Sequence, residues 1–125
     1  MADQNGPTDS DSGAKGTPPI NAHTRAGLAL LWQAHAYAMD AGADLWDFAL
    51  EISELYDVSL TISDLRWLVA KRFTEHGQET SFYGDPHRSF RAGQGLNFVP
   101  TTCFVLTDAG NEFVGRALKK PAATP

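Results

Sequence analysis

The chain has 125 residues, 42% of them apolar and 20% charged, with 10 Lys and Arg against 15 Asp and Glu and a formal net charge of -5. This balance suits a folded chain with one hydrophobic core. Its sign excludes a protein that coats nucleic acid by bulk attraction, because such binding rests on neutralising phosphates, but leaves open a sequence-specific binder with a local basic patch. The lone cysteine, Cys103, excludes a disulfide framework and points to a reducing cytoplasm.

Residues 1–20 hold Gly, Pro, Ser, Thr and Asp with almost nothing to bury, and are expected to form a disordered tail closed by Pro18-Pro19. They lack the basic start and apolar stretch of a secretory signal. The folded domain is expected over residues 21–120, with a disordered end over 121–125.

A first helix is expected from Thr24, a capping residue, to Ala41, with Gly42 just past its end. Leu28, Leu31, Trp32, His35 and Met39 form one face at helical spacing. Leu30, Ala34 and Tyr37 form a second, so the helix is expected to be central or to lie at a dimer interface. The apolar stretch within residues 26–39 is broken by Gln33 and His35 and is too short to span a bilayer.

A second helix is expected from Leu45 to Tyr56, capped by Asp44. Leu45, Phe48, Ala49, Ile52, Leu55 and Tyr56 lie on its inner face, and Asp47, Glu51 and Glu54 on an acidic outer face. The turn Val58-Ser59-Leu60 leads to a third helix, capped by Thr61 or Ser63 and ended by Gly77. Ile62, Leu65, Leu68, Val69 and Phe73 point to its inner side. Ser63, Trp67, Ala70, Lys71 and Thr74 point outward, while Arg72 falls near the apolar side if the helix stays regular that far.

Beyond Gly77 the pattern turns to strands. One is expected over Glu79 to Tyr83, followed by a turn at Gly84-Asp85-Pro86, a short strand over Arg88 to Arg91 and a turn at Gly93-Gln94-Gly95. Leu96 to Val99 and Thr102 to Thr107 are β-rich, with Pro100 between them confined to an edge or loop. Asp108 caps a final helix bearing Phe113, Val114, Ala117 and Leu118, which Pro121 stops.

The fold class is therefore α+β and mainly helical, with three helices, a β-hairpin and a C-terminal helix. The segments Leu60-Thr61-Ile62-Ser63-Asp64-Leu65-Arg66-Trp67-Leu68-Val69 and Phe104-Val105-Leu106-Thr107-Asp108-Ala109-Gly110 resemble the winged helix-turn-helix superfamily. The second resembles the strand-to-helix junction after the wing in MarR-like regulators, where Thr107 and Asp108 would cap the helix and the small pair Ala109-Gly110 would allow close packing. The resemblance covers residues 24–118. It implies a DNA-binding regulator, homodimeric and without catalysis or cofactor. It also implies a groove-facing surface of Ser63, Arg66, Trp67, Ala70, Lys71 and Thr74 and wing contacts from His87, Arg88 and Arg91, with Gln94 a further candidate.

The residues themselves pull in two directions. Arg88 and Arg91 cluster with His87, but two arginines on a polar hairpin equally serve solubility. Trp67 at the centre of an outward face favours a protein partner over DNA, since an indole offers few hydrogen bonds to base edges; its alternative is cover by the wing or a terminal segment. The acidic side of the second helix disfavours phosphate. The alternative function is a protein-interaction module of the same shape. A small enzyme built on Cys103 ranks third, because nothing singles out a base for it. His23, His35, His76 and His87 lack metal-ligand spacing, so no metal is expected.

Overall fold

A computed structural model describes residues 22–119. The expected tail over 1–20 and the end over 121–125 lie outside the described residues. Over the described residues the architecture is α+β, with four α-helices and a four-stranded antiparallel sheet.

Helix α1 spans Ala22–Ala41 and buries Gly27, Leu28, Leu31, His35 and Ala38, one stripe at helical spacing. It ends where expected: Gly42 takes φ +65, and the amide of Ala43 donates to the Ala38 carbonyl at 3.0 Å. The second apolar stripe is not buried to match, since Tyr37 is more than half exposed, and on the first stripe Trp32 and Met39 are exposed as well.

The second helix is not continuous. Asp44 accepts from the Trp46 amide and starts a 3-10 turn over Leu45–Phe48. The chain then runs extended through strand β1, Leu50–Glu51, before helix α2, Ile52–Asp57. The inner residues read as one helical face serve two different cores. Ala49 packs with Leu45 and Trp46, whereas Ile52 and Leu55 join the main core. Extended backbone at Ala49 and Glu51 separates them. The acidic face dissolves as well. Glu51 and Glu54 close a reciprocal capping box at the start of α2, and Asp47 sits on the 3-10 turn.

Helix α3, Ile62–Ala70, follows a tight turn in which Ser59 adopts φ +77 and the Leu60 amide returns to the Leu55 carbonyl. It stops seven residues short of Gly77. Lys71 ends it and Arg72 reverses the chain at φ +63, so that β2 begins at Thr74 and runs to Glu79 with Gly77 inside it. Strand β3, Phe90–Ala92, pairs with β2, and strand β4 is Thr102–Leu106. Leu96–Val99, expected to be β-rich, carries no strand.

The sheet order is β1-β4-β2-β3. Strand β4, the second in this order, is buried at every residue, which is why it reads as an unbroken apolar run rather than an alternation. Phe104 and Leu106 face the main core with Leu28, Leu31, Leu55, Leu65, Leu68 and Val114. Cys103 and Val105 face a smaller cluster with Ala49, Leu45, Trp46 and Phe90. Each large apolar side chain so buried contributes roughly 1.5–3 kcal/mol.

The strand-to-helix junction packs as its small residues predict. Helix α4, Asp108–Lys119, begins with the Thr107 hydroxyl accepting from the Gly110 amide at 3.0 Å and donating to the Arg72 carbonyl at 2.7 Å. A Cβ at Gly110 would overlap the Phe73 carbonyl. Phe113 then stacks on Phe73 with ring centroids 4.4 Å apart, and Arg25 of α1 donates to the Leu118 carbonyl at 2.6 Å. Among the described residues no helix is long and apolar enough to cross a membrane.

Candidate nucleic-acid interface

The first turn of α3 decides which charges it displays. Thr61 accepts from the Asp64 amide at 3.1 Å, and the Asp64 carboxylate accepts from the Thr61 amide at 2.8 Å. The same carboxylate lies 3.4 Å from His23. The one acid of α3 is thus spent at the cap. With Leu65 and Leu68 in the core, the exposed side of the helix carries Ser63, Arg66 and Ala70, and Lys71 is exposed at its end.

Two residues expected on that side are elsewhere. Trp67 is half-buried, edge-on to Phe73 at 5.7 Å and to Phe113 at 6.0 Å. The early reversal at Arg72 brings Phe73 back beside it, and α4 supplies Phe113. The indole is therefore a packing group between α3 and α4 rather than the centre of an outward face. Thr74 lies on β2, not on the helix, and is 2% exposed.

A loop borders the exposed side of α3. The His76 ring on β2 packs edge-on against Phe98 at 4.9 Å, and its Nε2 lies 3.1 Å from the Gly95 carbonyl. Phe98 in turn packs on Phe104 of the core at 5.1 Å. This holds the segment after β3 against the domain, and Arg66 donates from Nε to the Leu96 carbonyl at 2.9 Å. Arg72 shares a surface recess with Gly93 and Gly95, and exposed Arg91 shares the adjoining one with Gly93, Gln94 and Asn97. Three arginines therefore border the same short loop, with Glu75 the carboxylate lining the recess of Arg72.

The β2–β3 hairpin continues past its strands. The Thr80 amide donates to the Ser89 carbonyl at 2.8 Å, the Ser89 amide to the Ser81 hydroxyl at 2.6 Å, and the Phe82 amide to the Asp85 carboxylate at 2.7 Å. His87 is exposed near the tip.

Arg88 does not serve as a wing contact. Its guanidinium grips Glu79 in a fork, at 2.8 and 3.0 Å, and donates to the Ala49 and Asp47 carbonyls at 2.9 and 3.3 Å. It lies over the Phe90 ring at 5.1 Å. The hydrogen bonds from Arg88 pull the Glu79 carboxyl below its ordinary pKa, and those to Glu79 raise that of Arg88, so the pair stays charged. Both side chains are mostly buried, which makes this a structural ion pair.

Cys103 sits at the floor of that ion pair, 3.6 Å from Arg88, and is fully buried. Burial pushes its thiol up to about 11, well above the range that yields a thiolate nucleophile. Among the described residues no group of three His, Cys, Asp or Glu side chains is placed to hold a metal.

Of the expected site residues, the structure brings Ser63, Arg66, Ala70 and Lys71 to one helix side and sets Arg91 and Gln94 beside the loop next to it. It sets Trp67, Thr74 and Arg88 apart. Arg72 was the residue missed, and its signal was legible: an arginine on the apolar side of a regular helix marks where the helix has to end. The chain matches no family model, no curated protein sequence and no solved structure.

Proposed function

We propose that this chain is a winged-helix-type DNA-binding regulator of the cytoplasm, non-enzymatic, with α2–turn–α3 as its helix-turn-helix and the β2–β3 hairpin as its wing. The observation that carries the reading is the display on α3. Ser63, Arg66, Ala70 and Lys71 share an accessible side whose single carboxylate, Asp64, is engaged at the helix cap, and Arg72 and Arg91 flank it. Small residues on a reading helix let its backbone approach base edges, and the flanking arginines suit phosphates on either side. The arrangement concentrates positive charge locally on a chain whose net charge is negative.

A protein-interaction module of the same shape has less support, since Trp67, its expected anchor, is committed to Phe73 and Phe113. Association of two copies fits α1, where Trp32, Tyr37 and Met39 stay accessible. Such pairing would present two reading helices to a two-fold operator.

Fluorescence anisotropy on a labelled duplex pool, between about 50 and 200 mM salt, tests the reading. The expected slope of log affinity against log salt is about -3 for three phosphate contacts, at roughly 0.9 per contact. Arg66→Ala, Arg72→Ala and Arg91→Ala are each expected to reduce it by about 1. A protein that binds no duplex at the low-salt end, or whose slope ignores all three substitutions, would overturn the proposal.

A further inference from the structure

Strand β2 lies between β4 and β3, but β3 does not accompany it to its first residue. Backbone groups alternate along a strand, so every second residue bonds to the same neighbour. Phe73 and Glu79 bond towards the β4 chain: the Phe73 carbonyl accepts from the Thr107 amide, and the Glu79 amide donates to the Thr101 carbonyl, both at 3.0 Å. His76 and Thr80 bond towards the β3 chain: the His76 carbonyl accepts from the Gly93 amide at 3.0 Å, and the Thr80 amide donates to the Ser89 carbonyl at 2.8 Å. Thr74 belongs with His76 and Thr80, so its amide and carbonyl turn to the β3 side. Strand β3 ends at Ala92, short of that point. Gly95, which the same register would set opposite Thr74, instead takes φ +69 and holds its carbonyl 3.1 Å from the His76 ring. Beside this edge lies a recess of about 400 Å³, lined by Thr74 with Trp46, Val69, Arg72 and Glu75. Thr74 also carries the buried side-chain hydroxyl that finds no hydrogen-bond partner among the described residues. Polar capacity left over by the fold is thus concentrated at one residue, on the wall of a recess.

We propose that this recess binds a free α-amino acid with an apolar side chain, seated on the open edge of β2 at Thr74. In an antiparallel pair, two facing residues exchange N–H to C=O bonds in both directions. A free amino acid carries the same two groups in charged form. Its ammonium donates to the Thr74 carbonyl, and its carboxylate accepts from the Thr74 amide. The wall supplies the matching charges, Arg72 for the carboxylate and Glu75 for the ammonium. A plain acid would meet Glu75 uncompensated and a plain amine would meet Arg72, so the zwitterion is the species that fits both. Trp46 and Val69 offer apolar surface to its side chain. An extended peptide fits less well, because the edge is a single position long. The Gly93 amide, bonded to the His76 carbonyl, closes one end, and the chain reversal at Arg72, with φ +63, closes the other. The inference goes beyond the DNA-binding reading and does not depend on it, although both draw on Arg72.

The test follows the amide resonances of the isotope-labelled full chain while L-leucine or L-phenylalanine is added. At least one is expected to bind with a dissociation constant of about 1 mM or tighter, with the Thr74 amide among the resonances that move most. Isoamylamine is leucine without its carboxylate, and isocaproate is leucine without its ammonium. Phenethylamine and hydrocinnamate stand in the same relation to phenylalanine. Each analogue is expected to bind at least about tenfold more weakly than its parent, the loss of one charge-assisted contact. Arg72→Asn, chosen because asparagine accepts the left-handed backbone, should weaken the amino acid about tenfold and leave the amines unchanged. Glu75→Gln should weaken it to a similar degree and leave the acids unchanged. Thermal midpoints check that both variants fold; should either fail, the analogues decide the matter on wild-type protein. A Thr74 amide that stays still up to about 10 mM of both amino acids would overturn the site. Analogues that bind as well as their parents would overturn it too, since the recess would then be holding only an apolar body. Neither result touches the DNA-binding reading, whose salt titration is run without amino acid.

Discussion

Arg88 and Arg91 are three residues apart on one hairpin, yet they occupy opposite electrostatic worlds. Arg88 turns beneath the sheet, where a carboxylate, two carbonyls and an aromatic ring meet every direction in which it can donate or stack. Arg91 turns to the other side, beside Gln94 and Asn97, and stays exposed. Side chains alternate along extended backbone, so an odd separation sends them to different faces. The lesson concerns charge reading in general. A count of arginines on a wing measures nothing until each is assigned to a face, because one that is fully paired inside the fold has no charge left for a partner.

The largest expected effect separates the two directly. Arg88→Met leaves Glu79 mostly buried without its partner and is expected to cost about 3 kcal/mol of stability. Arg91→Met, on the surface, should stay within about 0.5 kcal/mol. Urea unfolding of the two variants measures the contrast, and equal losses would erase it.

A second, smaller effect follows acid. The Glu79 carboxyl is held below its ordinary 4.5 in the fold, chiefly by the Arg88 hydrogen bonds. Its contribution to stability is complete above pH 4.5 and is lost as pH falls through the folded value. Glu79→Gln should therefore flatten the acid limb of the stability profile as well as lower it, in urea unfolding repeated across the acid range.

The smallest effect lies at the other end of the pH scale. Cys103 keeps its proton in the fold to about 11 against an ordinary 9.0. The unfolded chain gives that proton up first, so stability should fall gently as pH rises from 9.0 towards 11. At neutral pH the native thiol should react with a disulfide reagent only at the rate of unfolding, and fast labelling of native protein would place the sulfur nearer solvent than the fold has it.

How much of this was legible in the residues depends on whether a segment serves one neighbour or two. Helix α1 needs a single stripe, and its end at Ala41 and Gly42 reads off directly. So does the Thr107–Gly110 junction, where capping and close packing are both local demands. The segment from Leu45 to Tyr56 satisfies helical spacing, yet its apolar residues divide between two cores on opposite faces of the sheet, a division that periodicity does not encode. Trp67 looked outward because its cover arrives from Phe113, far along the chain. The helix face bearing Ser63, Arg66 and Ala70 was legible from spacing. The loop that Arg66 shares with Arg72 and Arg91 was not, since it depends on the long-range anchoring of His76 and Phe98.

The position of β4 has a consequence for how the protein is made. Among the described residues, strand β1, at residues 50 and 51, pairs only with residues 103 and 104. The strand that joins the two halves of the sheet is therefore among the last pieces of the domain to leave the ribosome, about three to ten seconds after β1 at roughly 5–20 residues per second. Until then the hairpin of β2 and β3 can close by itself, but the N-terminal helices have no Phe104 or Leu106 to fold upon. Nascent chains shorter than this point expose an unfinished apolar surface, and their safekeeping falls to chaperones rather than to the fold.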